Sequence, residues 1–257
     1  MRKQLMSAAA VAVLAMCGSS ASAAELWNNG GVVTNPTGGT GTIAGQPISQ
    51  IELPGINYGF SIDESGETFS PARIADNFTV SGPGWNLDSV RVFAYQTGAT
   101  SPTLTSVRLE LFNGSPAAGG TSLGSVSVAA GAGSLVAYRQ TNTGTSDTTR
   151  RIFSYDVSID GLAAANNLAP GTYWLAVSGV GSLASGPWAP PVAPRAGAPD
   201  LNAVQATTTA GVTTYATIDD GGSPVALPFV LNGTLVPEPA SLSVLALGGL
   251  AMLRRRR

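Results

Sequence analysis

Short segments in which apolar and polar residues alternate one for one, separated by glycine and proline, constrain this chain more than any other feature. Residues 106–112 are the clearest case. Val107, Leu109 and Leu111 point one way and Arg108 and Glu110 the other, the period-two pattern of a strand with one buried face. Residues 152–160 gather Phe153, Tyr155, Val157 and Ile159 in the same manner. Residues 73–80 put Ile74, Phe78 and Val80 on one face, with Asp76 as the exception. Residues 171–178 alternate less strictly and are entered by the turn signal Ala169-Pro170-Gly171, and 227–235 offer Phe229, Leu231 and Leu235. Helical periodicity is confined to Leu162–Leu168, room for a turn or two. The pattern predicts an all-β fold, an antiparallel β-sandwich or jelly roll.

Between these segments, residues 117–134 read as an Ala/Gly-rich connection. Residues 185–194, with four prolines, read as a stiffened surface loop. Residues 24–60 contain Asn28-Asn29-Gly30-Gly31 and Thr37-Gly38-Gly39-Thr40-Gly41, too flexible for strand interiors, and predict loop with one or two edge strands.

Both ends differ from this body. Arg2-Lys3, the apolar run from Leu5 to Met16 and the small residues Ala21-Ser22-Ala23 have the layout of a signal peptide spanning 1–23, which implies passage through the Sec translocon and removal by signal peptidase. At the other end, Val236-Pro237-Glu238-Pro239 precedes an uncharged run from Ala240 to Leu253, and then four arginines, Arg254, Arg255, Arg256 and Arg257. Pro237 and Pro239 separate the body from the uncharged run. As a helix the 14-residue run would reach roughly 21 Å, short of a hydrocarbon core of about 30 Å, and snorkelling arginines with local thinning cover the difference. The arginines act as a membrane stop, keeping the tail cytoplasmic and the body outside. The expected course is an exported chain held by its tail as a membrane-anchored precursor.

The segment 236–257 resembles the PEP-CTERM sorting signal of exported proteins of Gram-negative bacteria, through its Pro-Glu-Pro motif, short apolar helix and arginine cluster. The resemblance implies that an exosortase-like processing enzyme recognises Pro237, Glu238 and Pro239, and that export is linked to exopolysaccharide or biofilm. The three residues are then a site acted upon by another protein. In the body, Ile74-Ala75-Asp76-Asn77-Phe78 and Pro170-Gly171-Thr172-Tyr173-Trp174 resemble recurrent phrases of bacterial secreted β-domains. Together these divide the chain into 1–23, an extracytoplasmic domain 24–235, and 236–257.

Composition narrows the chemistry. The one cysteine, Cys17, lies in the leader, so the domain has no disulfide or thiolate metal site. The absence of histidine excludes Ser-His-Asp and Cys-His catalysis and histidine-bound zinc. Setting aside the two basic residues of the leader and the four of the tail leaves seven of 13, all arginine. Setting aside Glu238 leaves 14 of 15 acids, so the domain carries −7. An acidic, lysine-free body argues against nucleic acid as a partner.

The remaining candidates are few. Glu64 and Glu67 could serve a carboxylate-based hydrolase, but residues three apart in a loop need not converge on a substrate. Asp219-Asp220-Gly221-Gly222 offers oxygens to calcium without any calcium-loop spacing, so exposed turn acids are the plainer interpretation and no metal or other cofactor is expected. Trp188, between Pro187 and Pro190, is the best placed aromatic for glycan contact, and Trp174, opposite Tyr173 and Leu175 in its alternation, is the second. The sequence therefore predicts a non-enzymatic surface or matrix protein. The alternatives are a carbohydrate-binding module and, less favoured, a hydrolase.

Overall fold

The computed structural model describes residues 23–52, 57–65, 72–209 and 212–237. Its strands run β1 Ala24–Asn28, β2 Ile48–Gln50, β3 Phe60–Ser61, β4 Arg73–Val80, β5 Trp85–Ala94 and β6 Leu104–Asn113. They continue as β7 Thr121–Ala129, β8 Gly133–Gln140, β9 Arg151–Ser158, β10 Gly171–Gly181 and β11 Trp188–Ala189. Last come β12 Val204–Thr209, β13 Val212–Thr217, β14 Asp219–Asp220, β15 Ser223–Pro224 and β16 Phe229–Leu235. Short 3-10 turns are the only helical elements described, one of them at Ala163–Ala165. The fold is all-β.

Twelve of these strands form two six-stranded sheets. One has the order β1-β16-β5-β9-β8-β2 and the other β13-β12-β4-β10-β6-β7. All pairings within them are antiparallel except that of β2 with β8. The alternation explains how they meet. Ile74, Phe78 and Val80 of β4, Val107, Leu109 and Leu111 of β6, and Leu175 and Val177 of β10 share one core cluster with Phe153, Tyr155 and Val157 of β9 and Phe229 and Leu231 of β16.

Strand β5 contributes Trp85, Leu87, Val90 and Val92 to that cluster, although the spacing from Leu87 to Val90 is odd. A bulge resolves the parity. Asn232 pairs with Ser89 and Gly233 with Leu87, leaving Asp88 as the extra residue, which returns the apolar side chains to the same face. Gly233 sits tight against the Asn86 carbonyl, where a Cβ would collide.

Two expectations need correction, and one hairpin lies outside them. The connection 117–134 contains all of β7 and the start of β8. Its alternation of small polar residues with Val126 and Val128 belongs to an exposed edge strand, and its Gly/Ala content hid it. Residues 187–193 are not a surface loop. Pro187, Ala189, Pro190, Pro191, Val192 and Ala193 are buried, and the Val192 N–H donates to the Ala226 carbonyl at 2.9 Å. Finally, β12 and β13 form a threonine-rich hairpin that no apolar periodicity announced. Only Val204–Ala206 pair with β4. Beyond that register β12 pairs with β13 alone among the described strands, and Tyr215 packs edge-on against Phe112 of β6, with ring centroids 5.8 Å apart.

Candidate functional site

Strand β5 measures the domain from end to end. At its first residue, Trp85 pairs with Leu235 and exchanges two backbone hydrogen bonds with Leu168, at 2.9 and 2.8 Å. The Val236 N–H donates to the Gly84 carbonyl at 2.9 Å, and Pro237 beyond it is exposed. At the other end, Tyr95 exchanges two backbone hydrogen bonds with Trp188, both 2.9 Å. Trp188 also pairs with Ser61 across β11 and β3. From Trp85 to Tyr95, a strand rising about 3.3 Å per residue covers roughly 33 Å. Trp188 and the exit of the chain toward the tail therefore occupy opposite ends.

Beside Trp188 lies a cleft of about 390 Å³, within the range of small-ligand sites, about 300–1,000 Å³. Trp188 forms part of its wall and also packs against the cluster of Val32, Phe93, Tyr95, Ala137 and Ile152, which steadies the indole. The polar wall comes from chain distant in sequence: Asn57, Gln205 of β12, Thr207, Thr217 of β13 and Asp219 of β14. Gln205 is fixed by donation from Nε2 to the Ser61 carbonyl at 2.8 Å, and Asp219 accepts the Gly222 N–H at 3.0 Å. Asp219 is the sole carboxylate among the described residues lining the cleft.

Trp174 is a different matter. Its alternation against Leu175 is as expected, since it faces away from the core between the sheets. It is nonetheless only 7 % exposed, in a second cluster with Ala75, Phe112, Ala176 and Val204 against which Tyr215 packs. The folded-over hairpin supplies that cover, and the indole has no surface to offer a sugar. Glu64 also lies against this outer face. It accepts the Ser178 hydroxyl at 2.9 Å and stands 3.6 Å from Arg108, itself 3.6 Å from Glu110, which pairs with Arg73 at 2.9 Å. Its expected partner Glu67 falls outside the described residues, as do Glu238, Pro239 and Arg254–Arg257. Among the described residues no helix is long and apolar enough to cross a membrane, and no three acidic groups gather as a metal site.

Two ionisable residues that the sequence did not mark as a site are the most deeply buried of their kind among the described residues. Asp76, fully buried, accepts the Leu227 N–H at 2.7 Å, Asn29 Nδ2 at 2.8 Å and its neighbour Asn77 N–H at 2.8 Å. Burial pushes its pKa up to about 7, against the pull of those three donors. Its break in the β4 alternation was the available signal. Arg139, 1 % exposed, donates from Nε to the Tyr58 carbonyl at 2.9 Å, and from Nη1 to Ser49 Oγ at 2.9 Å and the Gln50 carbonyl at 3.4 Å. Burial lowers its pKa, while the nearby Tyr95, Asp220 and Glu52 hold it up. Nothing in the sequence around Arg139 marks it as buried.

No protein-family model matches this chain, and no curated protein matches it in sequence.

Proposed function

We propose that this chain is an exported, non-enzymatic protein of the cell surface or extracellular matrix, associated with exopolysaccharide or biofilm. Its body is an antiparallel β-sandwich of the jelly-roll kind, carried between a leader at 1–23 and a PEP-CTERM segment at 236–257. The observation that carries this reading is the ordered tail: a Pro-Glu-Pro motif, an uncharged run and four arginines. Val236 closes the β16 edge by its bond to Gly84, and Pro237 is exposed immediately after it. The described chain thus leaves the folded body at the first residue of the motif, which supports reading the motif as a processing signal for an exosortase-like enzyme. Deleting residues 237–257 should release the protein from the membrane fraction, and Glu238→Ala should accumulate a membrane-bound precursor. Normal maturation of that variant, read by intact mass spectrometry, contradicts the processing reading.

A second reading, carbohydrate binding, is favoured by one observation: Trp188 lines a mixed polar and apolar cleft. The hydrolase reading has no comparable support, because Asp219 is the one carboxylate among the described residues lining the cleft.

A further inference from the structure

We infer that the cleft beside Trp188 is a binding site for a neutral saccharide, presented at the end of the domain farthest from the exit of the chain toward its tail. The inference rests on the carbohydrate-binding reading above and specifies its ligand and orientation. Around one indole the cleft arranges a carboxamide on Asn57, another on Gln205, and hydroxyls on Thr207 and Thr217. Carboxamides and hydroxyls each donate and accept. That is the chemistry a polyhydroxylated ring needs, since every sugar hydroxyl also does both. The indole gives the apolar C–H face of such a ring a flat partner.

Charge selects among sugars. Asp219 is the one ionisable side chain among the described residues lining the cleft, and the domain as a whole is acidic. A uronate or sulfated sugar would meet a like charge with no cation to pair it, a juxtaposition that binding sites use to reject ligands.

The site is also preassembled. Both backbone hydrogen bonds of Trp188 to Tyr95, its packing on the Phe93–Tyr95 cluster, and the Gln205–Ser61 bond hold the walls without a ligand. Little ordering then remains to oppose binding. The length of β5 places the cleft roughly 30 Å from Leu235, so a chain tethered by its tail would hold the site out toward surrounding polymer.

The test uses the full chain in detergent micelles, titrated with cellohexaose, laminarihexaose, mannohexaose and an alginate hexamer. At least one neutral hexamer should bind, with alginate weaker by tenfold or more. Trp188→Ala and Thr217→Arg should each weaken binding at least tenfold. Thr217 is exposed, so the melting profile of its variant should match the parent and serve as the control if Trp188→Ala misfolds. Preferential binding of alginate, lost in Trp188→Ala, overturns the neutral ligand while leaving carbohydrate binding in place. Undiminished binding by a normally folded Thr217→Arg removes the site. Binding of none of the four removes the carbohydrate reading as well.

Discussion

Asp76 and Arg139 are an acid and a base buried to the same depth, and the described structure surrounds both with neutral groups of its own chain. Around Asp76 these are N–H donors, and around Arg139 carbonyl and hydroxyl oxygens. The difference lies in what each holds together. The donors to Asp76 come from β4 itself, from Asn29 just after β1 and from Leu227 just before β16. One carboxylate thus stitches strands of one sheet to strands of the other. The acceptors of Arg139 come from β2 and from Tyr58, so the guanidinium pins the short parallel edge strand and the segment beside it. A buried ion can serve the whole fold or one margin of it, and the origin of its partners decides which.

Asp76→Ala should have the largest effect. It strands three donors around a small void, and each unpaired buried group costs about 1–3 kcal/mol, so a loss of roughly 3–5 kcal/mol in urea unfolding is expected. A loss under about 1 kcal/mol would mean the carboxylate does not join the sheets. Arg139→Met should cost about 2–3 kcal/mol by freeing carbonyls that had a charged donor. The loss should be local, with amide exchange accelerating in β2 far more than in β4 or β10. Uniform acceleration would erase the contrast between the two ions.

The pH dependence separates them further. Folded Asp76 keeps its proton up to about pH 7, whereas its ordinary value is 3.8. Between those limits the folded state binds more protons than the unfolded one, so stability falls as pH rises. About 2 kcal/mol should be lost between pH 5 and pH 7, a slope that Asp76→Asn abolishes. A flat profile in the parent protein would show that the three donors outweigh burial. The smallest effect expected is from Ser49→Ala, about 1 kcal/mol, because two carbonyls still serve Arg139.

The strands legible in the sequence were those with one face in the shared core, where β4, β6, β9, β10 and β16 alternate large apolar residues. Those not legible lack that pressure. Most of β7 is exposed along its length, and β12–β13 are written mostly in threonine and alanine. Trp174 shows the same limit for a candidate site. Periodicity correctly turns it away from the core, but its cover is a hairpin about 40 residues later, and that contact exists only in three dimensions. The wall opposite Trp188 escaped notice for the same reason, since Gln205, Thr217 and Asp219 approach it through tertiary folding.

The position of β16 has a kinetic consequence. The last of the described strands is an inner member of its sheet, flanked by the first of them, β1, and by β5. Until residue 235 is available, β1 has no partner and the apolar side chains of Phe229 and Leu231 are missing from the core. A chain that emerges N-terminus first can therefore assemble β4, β6, β7 and β10 early but must wait for β16 to seal the structure.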